Sequence, residues 1–140
     1  MKIKQTILIL GLFISQWCFS QTISADAILG KYVTANNEGI VEVTKRNAKY
    51  YGKLIWIRPN ANLDLNNPDE LERKKSLRGK EILKDFIFEN NNWHSGTIYD
   101  PNNGKTYSCK ATMDEKGNLS LRGYIGFSLL GRTTYWVKVK

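Results

Sequence analysis

The stretch Gly123-Tyr124-Ile125-Gly126-Phe127-Ser128-Leu129-Leu130-Gly131-Arg132-Thr133-Thr134-Tyr135-Trp136 decides the fold of this chain. It holds three glycines, four aromatics and a single charge, Arg132. Aromatic and β-branched residues favour strands, and glycine permits the sharp reversal between them. The stretch therefore reads as the end of one strand, a tight connection, and the last strand of a closed sheet.

Working outward, the same alternation recurs. Residues 106–113 place Tyr107, Cys109, Ala111 and Met113 on one face and Thr106, Ser108, Lys110 and Thr112 on the other, the signature of a half-buried strand. Further strands are expected over 30–33, 40–44, 49–57, 81–88, 93–99, 119–125 and 132–139. Turn residues separate them at 36–39, 45–48, 90–92, 100–104 and 114–117. Ser24 is placed to cap a short helical turn ahead of the first strand. About eight strands in hairpin order predict an all-β fold, a single antiparallel up-and-down barrel, with a two-sheet sandwich as the alternative. Residues 58–80 break the rhythm. Asn67-Pro68-Asp69-Glu70 has the form of a helix start, so one short helix is expected through Leu71 to Leu77, within a long loop that lids the barrel's open end.

The first twenty residues read as an export signal. Lys2 and Lys4 precede a short apolar core over 7–14, and Cys18-Phe19-Ser20 suits cleavage before Gln21. That core is too short to span a bilayer, which needs roughly 20 apolar residues. The expectation is a signal peptide over 1–20, one domain over 21–140, and a periplasmic or secreted product with no transmembrane segment. Removing residues 1–20 lowers the net charge from +8 to +6. It also leaves Cys109 without a disulfide partner. A basic protein outside the cytoplasm meets little nucleic acid; anionic envelope polymers and lipid headgroups are its nearer neighbours.

Several short motifs also resemble a known family. They are Asn67-Pro68-Asp69, Leu77-Arg78-Gly79, Ile82-Leu83, Trp93 with Gly96-Thr97-Ile98-Tyr99-Asp100-Pro101, and Gly104-Lys105-Thr106-Tyr107. Arg122-Gly123-Tyr124-Ile125-Gly126 and Leu129-Leu130-Gly131-Arg132 with Trp136 complete the set. Together they resemble domain-of-unknown-function family 2147, small exported bacterial proteins. The resemblance implies a lipocalin-like barrel of the calycin type and no particular activity. Such barrels often begin with Gly-x-Trp, its ring covered by an arginine of the last strand. The resemblance therefore implies that Arg132 stacks on Tyr32 of Gly30-Lys31-Tyr32, worth roughly 0.5–2 kcal/mol.

No catalytic centre is recognisable. His94 is the sole histidine, too few ligands accompany it for zinc, and the Gly126–Gly131 run lacks nucleophile-elbow spacing. Cys109 reads as a buried, inert thiol, Asp64 to Glu70 as a weak calcium candidate, and Asp100, Glu81 and His94 as the groups an enzyme would have to use. No cofactor is implied. The candidate ligand-binding residues are Trp56, Trp93, Tyr99, Tyr124, Phe127, Arg132 and Trp136, for a small apolar or amphipathic molecule. Arg73, Lys74, Lys75 and Arg78 form a candidate anion-binding surface for an envelope polymer or a protein partner, which is the alternative function.

Overall fold

The computed structural model describes residues 21–140; the expected signal peptide over 1–20 lies outside the described residues. Eight antiparallel strands close into one barrel in sequential order, which excludes the sandwich. They are β1 Gly30–Val33, β2 Gly39–Arg46, β3 Lys49–Ile57, β4 Glu81–Glu89, β5 Asn92–Asp100, β6 Lys105–Met113, β7 Leu119–Tyr124 and β8 Arg132–Lys138. Residues Asn47-Ala48 and Asn90-Asn91 turn two hairpins with positive φ throughout, the backbone twist that two-residue loops require.

The antiparallel order gives the barrel two unlike ends. At the base lie both hairpin turns, the 114–118 turn and the start of β1. At the mouth lie the connections 34–38, 58–80, 101–104 and 125–131. The ring closes where β1 meets β8, at Tyr32–Lys138 and Val33–Val137, a much shorter seam than the eight registered pairs of β2 with β3.

A 3-10 turn over Ala25–Ile28, capped by Ser24, covers the base. Ile28 is buried among the core residues, and five side chains fix the turn to the barrel, Tyr50 and Lys45 through the Asp26 carboxylate and three others through backbone carbonyls. The Tyr32 hydroxyl donates to the Ile28 carbonyl at 2.9 Å, Trp93 Nε1 to the Ala25 carbonyl at 3.0 Å, and Lys138 Nζ to the Ala27 carbonyl at 2.9 Å. The cation facing Tyr32 is thus Lys138, 5.7 Å from the ring centre, and the Arg132–Tyr32 stack does not form. The reason is strand direction. Because β8 runs from mouth to base, its first residue stands at the opposite end from Tyr32.

The barrel interior is filled. Trp93, Tyr32, Phe86, Leu83, Leu119 and Leu121 are fully buried, and glycines on the strands either side of β4 make room for Phe86 and Leu83. A Cβ at Gly96 would overlap the Phe86 ring, and one at Gly52 would lie 2.8 Å from Leu83 Cδ1. Interiors pack to crystal-like density, so these glycines are where the large side chains fit.

The 58–80 insertion contains a 3-10 turn at Pro59–Ala61 but no α-helix; the helix expected over 68–77 is replaced by successive turns. Asn67 Oδ1 accepts from Asp69 N, and Asp69 Oδ1 from Leu71 N, so the residues that would start a helix spend their side chains on local turns. The bridge between Leu63 and Ser76 and the bond from Leu77 N to Asn62 O hold the rest of the segment in a flat hairpin. So short a segment does not nucleate a helix against such competing contacts. Leu77 enters the core, which makes the insertion part of the barrel's upper wall.

Candidate functional site

The predicted site residues fall into three environments. Trp93 and Trp136 are buried core residues, and Trp93 packs on Phe88 with ring centres 4.9 Å apart. Neither borders the gap among Ile28, Val43, Tyr50, Leu83, Phe86 and Leu121, which leaves no room for a water molecule. Trp56 is exposed near the mouth end of β3. Tyr124, Phe127 and Arg132 belong to one hairpin at the mouth, with Phe127 and Arg132 exposed and Tyr124 partly buried.

Tyr99 lies under the insertion, in a polar cluster that sequence reasoning missed. Its hydroxyl donates to Asp64 Oδ1 at 2.5 Å, while Asp64 Oδ2 accepts from Asn67 Nδ2 at 2.7 Å and lies 2.9 Å from Lys80 Nζ. Lys80 also stands 5.0 Å from the Tyr99 ring centre. Burial pushes the Asp64 carboxyl up, but the hydrogen bonds from Tyr99, Lys80 and Asn67 outweigh it and hold the group below the usual carboxylate range. Burial and the bond to Asp64 push the Tyr99 hydroxyl far up. The sequence signal was present in the Asp64–Glu70 oxygen cluster, read there as a calcium candidate. The one buried carboxylate of that cluster already has a cation, Lys80, and no group of metal-ligating side chains occurs among the described residues. The cluster ties the insertion to β5.

The other chemical candidates are also accounted for. His94 bonds Glu89 at 3.0 Å and Ser95 at 2.7 Å on the outer surface. Glu81 is held by a two-pronged bond from Arg46, and Asp100 accepts from backbone at its own turn. Cys109 is buried, its thiol pushed up to about 12 by that burial. Residues 128–130 form a 3-10 turn followed by a strand, so Ser128 is in no strand–turn–helix elbow.

Of the four predicted anion-binding residues, two are engaged. Arg73 Nε donates to the Asn67 carbonyl at 2.7 Å, and Lys75 pairs with Glu72 at 2.5 Å. Lys74 and Arg78 are exposed and make no ion pair among the described residues.

What distinguishes the mouth is apolar exposure. Among the described residues, seven of the twelve exposed large apolar side chains stand on mouth connections: Leu63, Leu65 and Leu71 on the insertion, and Ile125, Phe127, Leu129 and Leu130 between β7 and β8. Pro59, Asn60, Ala61, Asn62, Leu63 and Leu65 border an open groove of about 400 Å³. The base, by contrast, is sealed by the 25–28 turn.

A closed eight-stranded antiparallel barrel with a capped base and loops at the open end is the lipocalin-like architecture. Protein HP1028 from Helicobacter pylori, described as belonging to the lipocalin family, is similar over 81% of this chain and 83% of its own, with a TM-score of 0.72 and 25% sequence identity. The chain belongs to the DUF2147 family, described as an uncharacterized protein conserved in bacteria, whose model matches residues 30–138. No curated protein matches it. Among the described residues no helix is long and apolar enough to cross a membrane.

Proposed function

We propose that this protein is an exported binding module that takes a small amphipathic molecule at the barrel mouth, outside the strands' core. Small barrels either pack their interior or hold one ligand there, and this interior leaves no space. The observation that carries the reading is the open groove beside Leu63 and Leu65, at the one end of the barrel where apolar side chains gather in solvent. Its size falls in the range of roughly 300–1,000 Å³ typical of ligand clefts. Asn60 and Asn62 supply amides beside the leucines, which suits a molecule with a polar head and an apolar body.

Native mass spectrometry of residues 21–140, purified from a periplasm without detergent, tests this. A discrete added mass, lost on denaturation and absent from a Leu63→Asp/Leu65→Asp variant, is the expected result. A bare wild-type mass that a fatty-acid probe also leaves unchanged would refute it.

Lys74 and Arg78, exposed and without an ion pair among the described residues, favour a second reading, capture of an anionic envelope polymer. Such binding weakens steeply as salt rises, whereas an apolar groove is nearly insensitive to it.

A further inference from the structure

The loop between β7 and β8 is built to be exposed. Ile125, Phe127, Leu129 and Leu130 are 70%, 77%, 88% and 81% exposed, although residues of these types are ordinarily buried. Its stem is nevertheless fixed. Arg122 Nη2 donates to the Leu129 carbonyl at 3.0 Å and Nη1 to Thr133 Oγ1 at 3.1 Å, while Leu130 N bonds Phe127 O at 3.1 Å. Gly131 passes so close to the opposite strand that a Cβ there would lie 2.5 Å from the Gly123 carbonyl oxygen. A short glycine-closed stem thus holds out a cluster of apolar tips.

The charge of the β7–β8 hairpin has one sign. Residues 119–138 hold no acidic side chain; two of their cations, Arg122 and Arg132, stand at the foot of the loop, and the third, Lys138, lies at the base. Arg132 is exposed at the foot of the loop, and Tyr135 on the outer face of β8 continues the apolar surface below it.

We infer that this hairpin docks the protein, mouth first, on an anionic lipid bilayer. Apolar side chains at a loop tip enter the boundary between headgroups and acyl chains, and neighbouring cations meet the anionic headgroups. A second copy of the chain is the poorer occupant. The same hairpin on a partner would bring cations against cations with no carboxylate to pair them. The inference stands independently of a ligand in the groove, since it rests on a different loop.

Vesicle flotation with the 21–140 chain tests it, comparing phosphatidylcholine vesicles with and without phosphatidylglycerol. The wild type is expected to float with the anionic vesicles and far less with the neutral ones. Replacing two exposed apolar tips, Phe127→Ser with Leu130→Ser, removes enough transfer energy to weaken partitioning at least about tenfold. Arg132→Glu lowers the preference for anionic vesicles, and Ile87→Ser, exposed on β4 away from the loop, changes neither. Unchanged melting of the double variant shows that its loss is not unfolding. Failure of the wild type to float with anionic vesicles would overturn the inference, as would equal flotation of the double variant. A wild-type dimer in sedimentation that the double variant abolishes would also overturn it, by assigning the loop to self-association. None of these outcomes bears on the added mass in native spectrometry, so the two readings fail separately.

Discussion

Lys138 reaches over the Tyr32 ring, 5.7 Å from its centre, and donates to the carbonyl of Ala27 in the turn that seals the base. One side chain thereby joins the first strand, the last strand and the plug. Lys138→Ala removes a cation–π contact and a hydrogen bond to a part-buried carbonyl, at a cost of about 1–2 kcal/mol. Thermal melting should register that loss for Lys138→Ala and scarcely any for Arg132→Ala. Equal shifts would show that the lysine does not close the barrel.

The Phe86 ring occupies the space that a side chain at Gly96 would fill. Gly96→Ala is therefore expected to destabilise by about 3 kcal/mol, the upper part of the range for overpacking. Adding Phe86→Leu should recover part of it, because the two changes share one volume. Simple additivity in a denaturant double-mutant cycle would contradict the packing described.

Asp64 anchors the insertion. Asp64→Ala leaves Tyr99 and Asn67 without their acceptor, and Lys80 with only the longer contact to Glu72, and should cost about 2–3 kcal/mol. Hydrogen exchange should locate the damage at Leu77 and Gly79, with the base strands unaffected. The pH dependence has a fixed sign. The folded carboxyl is held below its ordinary value, so its contribution is full above the unfolded value of about 3.9 and is lost as pH falls through the folded one. Tyr99→Phe removes a donor to the charged form and should move that acid transition to higher pH.

Cys109 contributes at the opposite end of the scale. Burial raises its thiol to about 12, against about 8.5 in an unfolded chain. The neutral form is favoured in the fold, so stability is full below about 8.5 and declines as pH rises toward the folded value, by at most about 1.4 kcal/mol per pH unit. Between pH 9 and 10, where Tyr32 adds little because its unfolded value is about 10, wild type should lose stability more steeply than Cys109→Ala. Stoichiometric labelling of the native protein by a water-soluble thiol reagent would contradict the buried assignment.

The strands were legible because period-two alternation and asparagine- and glycine-rich turns are local properties. Residues 106–113 read correctly for that reason, and 49–57 matches β3 at both ends. The partner of Tyr32 was not legible from resemblance alone, although strand parity held the answer. In an even-numbered antiparallel ring the last residue of the final strand, Lys138, meets the first strand, and Arg132 cannot. The expected helix failed because Asn67 and Asp69 carry the same signal for a cap and for a turn, and the choice was made by distant partners, Tyr99 on β5 and Leu54 on β3. Trp93 and Trp136 were misplaced as lining for a related reason. Composition does not show whether aromatics surround a hollow or fill it, and glycines on neighbouring strands, Gly52 and Gly96, help decide the matter.

The seam where β1 meets β8 has a consequence for the order of folding. Hairpins such as β2–β3 and β4–β5 join neighbours in the chain and form early at little entropic cost, whereas the seam must bring Lys31 against Val139 from almost the full length of the described chain. Ring closure is accordingly the last step, made by the shortest ladder in the barrel. Trimming the chain after Trp136 would leave every hairpin its local pairing and still prevent the ring from forming, so the last four residues act as the clasp of the whole structure.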